Sequence, residues 1–292
     1  MIGVYFETWA CPWVAKPEDS ALAKIEKPID IVYLSFVDPG IRYSKSQGNF
    51  NGTGLQFSLD FSVVKESIKI LKQKGIKVVL AVGGASYGFQ NYNPKGVADL
   101  MWDLECDGID LDWEPIDGVK SAAMLGPLIE KTKPFCTGGR LLSIAGFSTG
   151  CFDPNGDTYR GMNIPALKSH GDMLDIVNIM AYDAGKNFDV VACYESYRKY
   201  FKKHLMVGFE VGQHGWGDGK LTLEEVDKVC NHIKPQNDEC FVWAYFKQGE
   251  PSTKQVIEKA ASILNGITIP KPPPKEPSHA PCPNCGYVLT IQ

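Results

Sequence analysis

The chain has 292 residues, of which 44% are hydrophobic and 22% charged, and 30 Lys and Arg stand against 34 Asp and Glu for a formal net charge of -4. This length supports one large core or two modest ones. With no basic field to hold a phosphate backbone or an anionic lipid surface, nucleic acid and membrane are excluded as expected partners, and a neutral polymer fits better.

Met1 leads directly into Ile2-Gly3-Val4-Tyr5-Phe6, without a charged leader or a small-residue cleavage site. No stretch reaches the roughly 18 apolar residues of a membrane span. Short apolar runs rich in Val, Ile and aromatics then alternate with helical patterns. In chain order the strand at 2–7 precedes a helix at 18–26, 30–38 precedes 60–74, 77–84 precedes 94–105, and 108–114 precedes 120–133. The second half repeats this, with strands at 141–147, 176–183, 204–211 and 241–247 followed by helices at 162–170, 190–203, 222–233 and 253–264. In the helix at 60–74, Asp60 and Ser62 offer N-caps, Val63, Val64, Ile68 and Leu71 form a stripe, and Gly75 suits a left-handed C-terminus. Thr222 and Glu225 suit a capping box. Near-continuous apolar strands suit a parallel sheet covered by helices. Eight such pairs predict an α/β fold, a closed (β/α)8 TIM barrel spanning residues 1–266.

Beyond Gly266 the composition changes to Pro270-Lys271-Pro272-Pro273-Pro274, an extended Pro-rich tail over 267–292 that ends in Cys282-Pro283-Asn284-Cys285. A second Cys pair at zinc-ribbon spacing is missing, so a disulfide or the remnant of a further module is expected there. Nine cysteines leave at least one unpaired. Cys230 and Cys240 bracket a loop short enough to bridge, while Cys106, Cys136 and Cys193 read as buried thiols. Cysteine usage favours an extracellular protein whose leader is absent from this chain, although a cytoplasmic one stays open. A monomer is expected.

The segment Asp107-Gly108-Ile109-Asp110-Leu111-Asp112-Trp113-Glu114 carries the chemistry. Alternation puts Asp110, Asp112 and Glu114 on one face of the strand and Ile109, Leu111 and Trp113 on the other. In a barrel the acidic face points inward, with carboxyl groups about 7 Å apart leading to the C-terminal mouth. Crowded like charges force at least one pKa up, as a general acid near neutral pH requires. A divalent cation cradle is the competing reading, but no His or Asn joins the run to complete an oxygen shell.

This run resembles the Asp-x-x-Asp-x-Asp-x-Glu signature of glycoside hydrolase family 18 in its chitinase form. The resemblance implies Glu114 as proton donor, Asp112 as the residue orienting a substrate acetamido group, and Asp110 as its proton-sharing partner. Asp107, of opposite parity, is expected to anchor the strand's start. Met180-Ala181-Tyr182-Asp183 is similar to the family's Met-x-Tyr-Asp, which makes Tyr182 a donor to the acetamido oxygen and Met180 and Asp183 substrate neighbours. Trp243 resembles the tryptophan flooring the central subsite, and Tyr5, Phe36 and Gly84 match positions around it. Glu210 is expected either to face the groove or to pair with a strand-end cation.

Some positions depart from the pattern. Ala81 removes a hydroxyl that the family places near Asp110, and Ala85 and Pro115 replace common aromatics. Residues 212–240 leave no room for the α+β insertion that walls the groove in some relatives, so an open groove and endo cleavage are expected. No metal or cofactor is implied. The expected partner is chitin or N-acetylglucosamine oligosaccharides. An endo-β-N-acetylglucosaminidase acting on N-glycans and a catalytically silent chitin-binding lectin remain alternatives.

Overall fold

The computed structural model describes residues 1–114, 123–155 and 159–266. Pro115 and the tail with Cys282 and Cys285 lie outside the described residues. Eight parallel strands, β1 (Ile2–Glu7), β2 (Ile31–Val37), β3 (Lys77–Gly83), β4 (Gly108–Asp112), β5 (Leu141–Phe147), β6 (Ile176–Met180), β7 (His204–Glu210) and β8 (Glu239–Trp243), pair in sequence order. Pairing of β1 with β8 closes the barrel, so the sheet has no free edge. The (β/α)8 expectation is met.

Period-two alternation partitions each strand. On β1, Ile2, Val4 and Phe6 join the large core between strands and helices, whereas Tyr5 joins a smaller cluster inside the barrel. On β4, Ile109 and Leu111 face outward, and Trp113 beyond the strand end does the same. Asp110 and Asp112 therefore point inward. Asp107 anchors the strand start, accepting the Val78 N–H at 2.9 Å and pairing with Lys72 at 3.2 Å.

Seven α-helices are present among the described residues: α1 (Phe61–Gln73), α2 (Pro94–Leu104), α3 (Leu125–Thr132), α4 (Ile164–His170), α5 (Val190–Arg198), α6 (Leu223–Ile233) and α7 (Thr253–Leu264). The helix expected at 18–26 does not form. A 3-10 turn (Pro17–Asp19) is followed by turns in which Ser20 Oγ accepts the Ala23 N–H at 3.0 Å and meets Ser67 Oγ of α1 at 2.7 Å. These bonds offer Ser20 an alternative to continuing a helix, and Pro28 disfavours helical backbone at Lys27. Gly75 does adopt a positive φ, +70°, just past the end of α1. At α6 only Thr222 caps, through the Glu225 N–H; the reciprocal capping box occurs at Ser252 and Gln255 on α7.

The seven described cysteines are buried free thiols. Cys230 and Cys240, which bracket a loop short enough to bridge, are not joined. Their thiols instead share a hydrogen bond that, together with burial, pushes the Cys240 thiol well up, away from the reactive thiolate.

Candidate active site

Register sets the neighbours of the acidic strand. Asp110 lies opposite Ala81 on β3 and Ser143 on β5, and Asp112 lies opposite Gly83. A Cβ on Gly83, whose φ is +108°, would collide with the Asp112 carbonyl, so close approach at this point requires glycine. Gly84, φ +77°, donates its N–H to that carbonyl at 2.8 Å and leaves room for the Phe36 ring, which an added Cβ would meet at 2.9 Å. Its part is to seat an aromatic ring.

Asp110 is fully buried. It accepts from Tyr5 Oη at 2.8 Å, Ser143 Oγ at 2.6 Å and Asn178 Nδ2 at 3.1 Å. The hydroxyl missing at Ala81 is thus supplied from β5. Burial outweighs these three bonds and pushes the Asp110 carboxyl up to about 6. Tyr5, expected to line the subsite, is buried below it, with its hydroxyl committed to Asp110 and its ring stacked on Tyr33 at 4.6 Å. Ser143 and Asn178 escaped the sequence reading. The available signal was a single polar residue at inward parity within each of two otherwise apolar strands.

Asp112 is 3% exposed, and its Oδ1 has no hydrogen-bond partner. Burial, then the charges of Glu114 and Asp110, hold its carboxyl well above the usual range. Glu114 follows the end of β4 and is half-buried. Burial, then the charge of Asp183, pushes it up to about 7, the range a general acid needs.

Two clefts meet at Glu114. One, about 470 Å³, is lined by Trp9, Phe36, Tyr87, Asp112 and Trp243; the other, about 650 Å³, by Phe147, Thr149, Tyr159 and Trp216. Ala85, Glu114, Met180, Tyr182 and Asp183 border both. In the first cleft Phe36 stacks against Trp243 at 5.7 Å and against Trp9 at 6.2 Å, making a continuous aromatic row. Trp9 sits in a 3-10 turn (Thr8–Ala10) and Tyr87, Tyr159 and Trp216 sit on loops, where no periodicity marks them. They restore the aromatic lining that Ala85 withholds.

Glu210 lies outside both linings: it is 2% exposed and ion-paired with Lys247, the second of the two placements open to it. Asp183, φ +52°, accepts the Trp216 N–H at 2.7 Å and so ties the loop carrying Trp216 to the segment that follows β6.

The family model described as Glycosyl hydrolases family 18 matches residues 1–253. The chain belongs to this family. Its barrel superposes on a family 18 chitinase from Pseudoalteromonas aurantia with a TM-score of 0.67 at 20% identity, covering 91% of this chain and 99% of that one. It is similar to a fungal endo-β-N-acetylglucosaminidase of family 18 (TM-score 0.66, 16% identity, 91% and 99% covered). It is also similar to a chitinase-like agglutinin from Robinia pseudoacacia (TM-score 0.64, 14% identity, 90% and 99% covered). At these identities the likeness establishes the family 18 barrel rather than one activity on it.

Proposed function

We propose that this family 18 glycoside hydrolase cleaves β-1,4 linkages between N-acetylglucosamine units within a chitin chain. The observation that carries the reading is the union, at one point of the groove, of a carboxyl poised near 7 on Glu114 with the unpartnered Oδ1 of Asp112 and the Tyr182 side chain. An agglutinin would not need that acid. Clefts on both sides of Glu114 favour binding a chain by its middle, hence endo cleavage.

In this mechanism a sugar stacks on Trp243, Asp112 Oδ1 accepts its acetamido N–H, and the Tyr182 hydroxyl donates to the acetamido oxygen. Glu114 passes its proton to the glycosidic oxygen while the acetamido oxygen attacks the anomeric carbon, giving an oxazolinium ion. Glu114, now a carboxylate, takes a proton from the water that opens it, so configuration is retained. Intramolecular attack of this kind contributes about 7 to 11 kcal/mol. A retaining enzyme with its own nucleophile needs a second carboxylate about 5 to 5.5 Å from the acid, across the sugar ring. Here Asp110 and Asp112 share the strand that leads to Glu114, and Asp183, whose charge also reaches Glu114, has one oxygen engaged by the Trp216 N–H.

Incubation with a defined chitin oligosaccharide and with a high-mannose glycopeptide tests the reading, with NMR of the first product. Internal cleavage of the chitin oligosaccharide with an initial β-anomer is expected. Cleavage of the glycopeptide alone, binding without turnover, or an initial α-anomer overturns it.

A further inference from the structure

At the mouth of the barrel three ligating side chains come together, Glu210 from the end of β7, Asp183 from the segment after β6 and His214 from the loop after β7. One ligand atom each from Asp183, Glu210 and His214 lies within 4.8 Å of the other two. Each carboxylate is already held by one oxygen, Asp183 Oδ1 by the Trp216 N–H at 2.7 Å and Glu210 Oε1 by Lys247. Glu210 Oε2 is buried without a hydrogen-bond partner on a side chain only 2% exposed, and both ring nitrogens of His214 are buried without a partner. A buried carboxylate oxygen beside another carboxylate, with no donor between them, calls for a proton, a water or a cation.

The histidine is prepared for the third possibility. It sits in a small hairpin closed by the His214 N–H to the Gly219 carbonyl at 2.9 Å, and only glycine at 219 leaves space for the ring. A cavity of about 40 Å³ is bordered by His214 and Glu225.

We propose that Asp183, Glu210 and His214 form a binding site for a divalent transition cation of the zinc class, with water completing its shell. Two carboxylates and one imidazole suit such an ion, and the Trp216 N–H and Lys247 orient the carboxylates as outer partners do in metal sites. Ligand atoms around a tetrahedral zinc lie about 3.3 Å apart, so the three side chains need only close inward. Lys247 tempers the affinity without occupying the open oxygens.

The test uses the full chain with Cys282→Ser and Cys285→Ser, which removes the tail thiols, after treatment with a chelator. Zn²⁺ is titrated calorimetrically, and Co²⁺ is followed by the visible absorption of a low-symmetry site. One equivalent is expected to bind and to raise Tm, because the ion binds only the folded chain. His214→Gln, which keeps most of the ring's volume, and Glu210→Gln should each weaken binding at least tenfold, whereas His204→Gln should not. Should Glu210→Gln fail to fold, His214→Gln and the Co²⁺ spectrum of the parent chain still decide. Absence of one-to-one binding in the parent chain, or unchanged affinity in His214→Gln, overturns the site.

Discussion

The two clefts that meet at Glu114 are built differently. On one side Phe36 and Trp243 stand at or next to strand ends and stack on each other, over a floor in which Tyr5, Asp110, Ser143 and Asn178 are joined by hydrogen bonds. On the other side Tyr159 and Trp216 come from loops, and Trp216 is 66% exposed with its backbone held by Asp183. Residues on rigid strands are held to the precision that chemistry requires, whereas loop residues offer contact area and tolerate change. On the proposed function, the sugar that reacts lies over the first cleft, which holds Asp112 and Trp243, and the leaving chain over the second.

The largest effect that would break this division is at the acid itself. Glu114→Gln is expected to keep the fold and chitin-oligosaccharide binding while turnover falls by about 10² to 10⁴, the ordinary contribution of a general acid. Asp112→Asn should also fall sharply, since a neutral amide cannot balance positive charge developing on the oxazolinium ion. Steady-state rates on a chitin oligosaccharide, with calorimetric binding alongside, check both; near wild-type turnover in either removes its assigned role.

The next comparison sets one ring against the other. Aromatic stacking contributes roughly 0.5 to 1.5 kcal/mol beyond the area buried, up to about tenfold. Trp243→Ala, which also disrupts the row through Phe36, should cost tenfold or more in kcat/KM. Trp216→Ala should cost less than tenfold, and chiefly on longer oligosaccharides. Equal losses on short and long substrates would mean the two sides do not divide the work in this way.

A pH series sharpens the picture of the floor. The Glu114 carboxyl is at about 7 in the folded chain against 4.5 for an ordinary glutamate, so between these values the native state binds more protons than the unfolded one. Its contribution to stability is complete below about 4.5 and is lost as pH rises through about 7. Turnover should fall over the same upper limb as the donor ionises. Melting curves from pH 4 to 8 should show a smaller decline for Glu114→Gln than for the wild type, and identical declines would contradict the raised pKa of Glu114. The smallest effect is expected from truncation after Gly266: turnover of soluble oligosaccharides should stay unchanged, because every residue assigned to the site precedes Gly249.

The chain's periodicities determined the barrel and the acidic strand, since a period of two assigns each strand residue to a face before any partner is known. The parity of Asp110, Asp112 and Trp113 followed from this alone. Helix propensity was a weaker guide where a local bond competed, as Ser20 shows. Only the tertiary structure decided what surrounds each carboxyl, because register sets which residues on neighbouring strands lie opposite. Ser143 stands beside Asp110 for that reason and replaces the hydroxyl missing at Ala81, while Tyr5 is drawn under the groove as a donor. The loop aromatics and the meeting of Asp183, Glu210 and His214 belong to the same category. Loop residues carry no repeating pattern, and barrel closure brings together strand ends far apart in sequence.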